Sequence, residues 1–174
     1  MNTDPRLRAA RSWLAVVGLS VAASGLAGCG FTPLYASPGA VSGLGAINVV
    51  VPDGRVAYLL REDLDDALGH DKSAAPAWRL DLALEQARDP RGLRLDNVAE
   101  RYELGLIVKF TLTQLATGRV AHSGTVQTEV SYEAADAPYA GIAARLDSQS
   151  RLAADAARRI QIELAAWMAK AKTP

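Results

Sequence analysis

The longest alternation in the chain runs from Arg101 to Leu115. Tyr102, Leu104, Leu106, Val108, Phe110 and Leu112 share one phase, and Arg101, Glu103, Lys109, Thr111 and Thr113 share the other. Successive strand side chains point to opposite faces, so this stretch predicts a long strand with one buried and one wet face. Its length predicts a bulge near Gly105. Two neighbouring stretches keep the same period. Trp78, Leu80, Leu82 and Leu84 alternate with Arg79, Asp81 and Glu85, and Val120, Val126, Val130 and Tyr132 lie opposite Ser123, Thr125, Gln127 and Glu129. Asp89-Pro90-Arg91-Gly92 predicts a turn, with a loop continuing through Arg94 to Asn97, and Ala116-Thr117-Gly118-Arg119 predicts a hairpin. Together these segments make an antiparallel meander.

The remaining periodicity is helical. Ile47 to Val51 is a β-branched run closed by Pro52, a fourth strand, after which Asp53 is placed to cap a helix. Val56, Leu60, Leu64 and Leu68 then recur every four residues, with Glu62, Asp63, Asp65 and Asp66 on the other side and Gly69 as the stop. That acidic cluster is the ordinary solvated face of an amphipathic helix, with a metal site as the alternative. Asp136 and Pro138 mark the start of a second helix, from Tyr139 to Lys170, with Tyr139, Ile142, Leu146, Ala153, Ala157, Ile160, Leu164 and Trp167 on one stripe. Asp147 and Asp155 precede Arg151 and Arg159 by four residues, the stabilising order. The expected fold class is α+β: a two-layer sandwich of four mostly antiparallel strands with two helices on one face, in the order β-α-β-β-β-α.

The first residues belong to a different grammar. Arg6, Arg8 and Arg11 precede an apolar segment from Trp13 to Ala23, the pattern of a secretory signal. Read instead as a transmembrane helix, Trp13 to Gly28 falls short of the roughly 20 apolar residues that a bilayer requires. The segment ends in Leu26-Ala27-Gly28-Cys29, whose spacing resembles the bacterial lipobox and places the chain's one cysteine where a thiol is acylated. Lipidation of Cys29 explains the position of a lone thiol in an exported chain, which pairing or a free thiol does not. The expected organisation is a cleaved signal peptide at 1–28, a lipidated arm at 29–46 and an α+β domain at 47–174.

Charge and chemistry narrow the function. Removing residues 1–28 takes away Arg6, Arg8, Arg11 and Asp4 and leaves 16 basic residues against 18 acidic. No basic stripe points to nucleic acid. The two histidines lack a metal-ligand pattern: His122 lies in the apolar phase of its strand, the usual setting of a packed or edge histidine, and His70 sits in a loop. No nucleophile elbow, phosphate-binding glycine loop or zinc motif is present, so no cofactor or metal is expected and the chain is read as non-enzymatic. A carboxylate pair for glycoside hydrolysis is the enzymatic reading left open.

Cys29-Gly30-Phe31-Thr32-Pro33-Leu34-Tyr35 resembles the start of the LPS-assembly lipoproteins, LptE, in particular those of alphaproteobacteria. The order of elements, the Thr117-Gly118 hairpin and the Ser131-Tyr132 and Pro138-Tyr139 pairs ahead of an alanine-rich helix extend that likeness over the chain after Cys29. The resemblance implies a lipid-anchored protein on the periplasmic face of the outer membrane. It would plug the lumen of the LptD β-barrel, help that barrel assemble, and assist lipopolysaccharide on its way to the cell surface. Gly30 in place of an aspartate is compatible with outer-membrane delivery. Lipopolysaccharide carries phosphates and acidic sugars, so Arg91, Arg94 and Lys109 are the candidate contacts. The alternative is a generic lipid-anchored adaptor of another envelope transport system.

Overall fold

A computed structural model describes residues 43–93, 99–135 and 137–171. Cys29, Arg94 and Asp136, all singled out in the sequence, lie outside them. Four strands form one open sheet in sequence order: β1 (Ile47–Val50), β2 (Trp78–Leu93), β3 (Ala99–Gln114) and β4 (Arg119–Glu133). β1 runs parallel to β2, and the other pairs are antiparallel. Helix α1 (Arg55–Leu68) joins β1 to β2, and α2 (Pro138–Ala171) follows β4. The α+β class, the β-α-β-β-β-α order and the two-layer arrangement are those that the periodicities predict.

The core lies between sheet and helices. Ile47, Leu80, Leu106, Val108, Phe110 and Leu112 of the sheet are buried against Leu60 and Leu64 of α1 and Leu152, Ile160 and Leu164 of α2. Ala153, Ala156 and Ala157 are buried too, and their small side chains let α2 settle closely on the sheet. The helices are tied together where Gln161 Nε2 donates to the Ala67 carbonyl oxygen. Gly124 is required by this packing: a Cβ there would lie 2.5 Å from Phe110 Cζ and against Glu163 Oε1. Gly69 closes α1 in the left-handed conformation, φ 63°, with its N–H bonded to the Asp66 carbonyl and that of His70 to Asp65.

Four local expectations need correction. Asp89-Pro90-Arg91 is strand, not turn, with Pro90 paired to Tyr102 and Arg91 to Arg101. β1 reaches only Trp78 to Asp81, so by Pro90 the far side of β2 is a sheet edge, where proline is tolerated. The irregularity falls not at Gly105, which pairs regularly with Ala87 and Glu129, but between Leu112 and Thr113, where Ala121 is the extra residue of β4. That bulge moves Val120 off the inner phase and leaves it 62% exposed. Asp53 does not cap α1: Gly54 holds the N-cap position with no side-chain hydrogen bond. Finally, Tyr139 and Ile142 of the predicted stripe are 88% and 50% exposed, because burial of α2 begins only at Ser148.

Candidate functional site

The outer face of the sheet carries a lattice of compensated charge. Arg91 and Arg101 are directly opposed across β2 and β3, an arrangement that would repel if each kept to its own position. Each turns to a glutamate instead: Arg91 Nη2 donates to Glu103 Oε1 at 2.8 Å, and Arg101 Nε lies 3.4 Å from Glu133 Oε1. Lys109 Nζ donates to Glu85 Oε1 at 2.6 Å, and Arg79 Nε to Asp81 Oδ2 at 2.9 Å. Hydrogen bonds from Arg91 and then from Glu129 hold the Glu103 carboxyl below its ordinary value, while Glu129, bonded to and repelled by Glu103, is pushed up. Thr111, Thr113, Thr125, Gln127 and Ser131 fill the intervening positions of this phase.

The inner face changes character toward the end of the sheet where β2 leaves and β3 begins. There the inward phase of β2 passes from Leu80, Leu82 and Leu84 to Gln86 and Arg88. The Arg88 guanidinium sits 3.7 Å above the Tyr102 ring, and its Nε donates to Tyr132 Oη at 2.9 Å. Tyr102 and Tyr132 stack on one another with centroids 5.5 Å apart. Across from them, the first turns of α2 bring Arg145, Gly141 and Ile142 to the same cleft of about 280 Å³. Neither Arg88 nor Arg145 has a carboxylate partner among the described residues, and no described Asp or Glu lines the cleft. Arg88, with its Nε engaged, and Arg145, which has no side-chain hydrogen bond or ion pair among the described residues, thus both line one open space.

At the opposite end the inner face is filled. His122 stacks on Trp167 with centroids 5.6 Å apart, Trp167 meets Trp78 edge-on, and His122 Nε2 lies 3.1 Å from Glu163 Oε1. His122 is therefore a packed residue at the rim of the core.

Of the residues singled out from sequence, Arg91 and Lys109 are on the outer face, each already engaged by a glutamate and not brought together. Arg88 and Arg145 are not candidates from the sequence, and Tyr102 and Tyr132 enter there as apolar-phase strand residues, not as site residues. Their signal in the sequence is the failure of the alternation after Glu85, where polar residues enter the inward phase of a strand still running.

No family model matches the sequence, and no curated protein does. Among solved structures, a minor lipoprotein of Acinetobacter baumannii superposes with a TM-score of 0.55 over 69% of this chain and 90% of its own, at 16% identity. Rare lipoprotein B of Shewanella oneidensis does so with a TM-score of 0.52 over 72% and 98%, at 19% identity. At such identities the likeness is one of fold, and the class it defines is an α+β domain shared by bacterial lipoproteins. A candidate lipoprotein of Caulobacter crescentus CB15 goes further, with 47% identity and a TM-score of 0.68 over 78% of this chain and 99% of its own. The chain belongs to the same lipoprotein family as that protein.

Proposed function

We propose that the protein is a non-catalytic outer-membrane lipoprotein, anchored through Cys29, that plugs and helps assemble the LptD β-barrel and assists passage of lipopolysaccharide to the cell surface. The observation that carries this reading is the outer face of the sheet. A domain seated inside a large barrel meets a polar lumen, and needs a rigid wall that is polar. The ion pairs Arg79–Asp81, Lys109–Glu85, Arg91–Glu103 and Arg101–Glu133, with threonine, serine and glutamine between them, provide that wall. The lipobox-like Leu26-Ala27-Gly28-Cys29 and the Cys29-to-Tyr35 motif support it from the sequence side. The role requires binding and positioning, and no turnover.

The test is to tag the C-terminus, extract membranes in mild detergent and identify what co-purifies in stoichiometric amount. A large outer-membrane β-barrel is the expected partner. Recovery of only inner-membrane or soluble proteins would replace the plug by the adaptor reading.

A further inference from the structure

We propose that the cleft between Arg88 and Arg145 is a recognition site for a sugar-borne oxyanion, a phosphate monoester or a uronic carboxylate. The contrast in charge compensation is the first ground. On the outer face Arg79, Arg91, Arg101 and Lys109 are all matched by carboxylates, whereas the two arginines facing this cleft are matched by none among the described residues. Two arginines lining one space bring like charges to it, and an anion between them turns that repulsion into attraction.

Preorganisation is the second ground. Arg88 is held by the face of Tyr102 and by its Nε bond to Tyr132, so its Nη1 and Nη2 edge is fixed in direction and has no acceptor among the described residues. A planar pair of N–H donors matches the two oxygens of a phosphate or carboxylate, which is the pairing at which arginine excels over lysine. Arg145 supplies a second set of donors from the helix side.

Size and lining are the third. A space of about 280 Å³ suits a monosaccharide-sized group, and Tyr102, Tyr132 and Ile142 line it beside the two arginines. The site rests on the plug reading only for the source of the anion: lipopolysaccharide would present it on a lipid, and a soluble sugar acid or phosphate is the other source.

The experiment titrates the full chain in detergent by calorimetry with glucose 1-phosphate, galacturonic acid and neutral glucose, and separately with lipopolysaccharide micelles. One or both charged sugars are expected to bind, glucose is not, and each of Arg88→Gln and Arg145→Gln is expected to weaken binding roughly tenfold. Arg158→Gln, at an exposed arginine of α2 already paired with Asp155, is expected to leave it unchanged. If the Arg88→Gln Arg145→Gln double variant also loses lipopolysaccharide binding, the source is the lipid. If it loses only the free sugars, the site stands with a soluble ligand. Arg145 makes no polar bond within the described residues, so Arg145→Gln carries the test even where Arg88→Gln folds poorly. Binding of every probe unaltered by both substitutions, or no binding of either charged sugar or of lipopolysaccharide, overturns the proposal. Failure of the wild-type chain to bring down a β-barrel would remove the plug reading and leave this result intact.

Discussion

The two ends of the inner sheet face are built from the same strands and meet opposite fates. At the hairpin end β3 presents Val108, Phe110 and Leu112, and α2 answers with Ala157, Ile160 and Leu164, all buried. At the other end β3 and β4 present Tyr102 and Tyr132, β2 presents Arg88, and α2 answers with Gly141, Ile142 and Arg145. The strand period does not change between the two. What changes is the partner: at the hairpin end small and apolar side chains of α2 seal the face, whereas at the other end Leu104 and Tyr132 stay buried and Arg88 and Arg145 border an open cleft beside them. There the first turns of α2 leave Tyr139 and Ile142 exposed, and the cleft lies beside them.

The sharpest way to break this contrast is at the sealed end. Phe110 is 1% exposed and touches the space that only Gly124 leaves open. Phe110→Ala is expected to lower stability by about 3–5 kcal/mol in urea unfolding, since lost burial and an uncollapsed cavity add. A loss of less than about 1 kcal/mol would mean that α2 does not seal this end. The open end is expected to yield less. Tyr132→Phe keeps the ring stacked on Tyr102 and removes the acceptor of the Arg88 Nε bond, for an expected cost of about 1 kcal/mol. A cost equal to that of Phe110→Ala would show the cleft to be core after all.

This contrast also marks how far the sequence could be read. Strand and helix periods in the chain after Pro52 are long and clean, so the two-layer fold, the α1 stripe and the Asp147–Arg151 and Asp155–Arg159 pairs follow from spacing alone. Pro90 misled because the cost of a proline depends on whether its strand is central or at an edge, and that is settled by the length of β1, far away in sequence. Val120 misled because one extra residue, Ala121, exchanges the two faces of a strand without disturbing its composition. The pairing of Arg91 with Glu103 and of Lys109 with Glu85 depends on register across β2 and β3. The cleft itself required knowing that residues 88, 102, 132 and 145, spread over four elements, end at one place. The one local hint was the arginine in an inward position, which ended the apparent strand early.

The outer face behind the cleft supplies the subtlest test, because there the same arginine chemistry is compensated. Glu103 is held below its ordinary value of 4.5 by Arg91, so it binds its proton less tightly folded than unfolded. Its contribution to stability is fully present above that value and is lost as pH falls through the lowered one. Glu129 is held above 4.5 by Glu103, so its contribution runs the other way: present below 4.5, lost as pH rises through the raised value. The two oppose, so in the wild-type chain each offsets part of the other's slope. Arg91→Gln leaves two facing carboxylates without their cation. Glu103 is then expected to titrate higher in carboxyl-carbon NMR, and the denaturation midpoint to fall more at pH 7 than at an acid pH below the lowered Glu103 value, where that carboxyl is protonated in both proteins. Equal shifts at the two pH values would assign the role of Arg91 to packing of its stem and not to charge. Against Arg145→Gln, which has no carboxylate to release among the described residues and is expected to leave stability unmoved at both pH values, the pair of variants separates a cation that completes the wall from one that waits for a ligand.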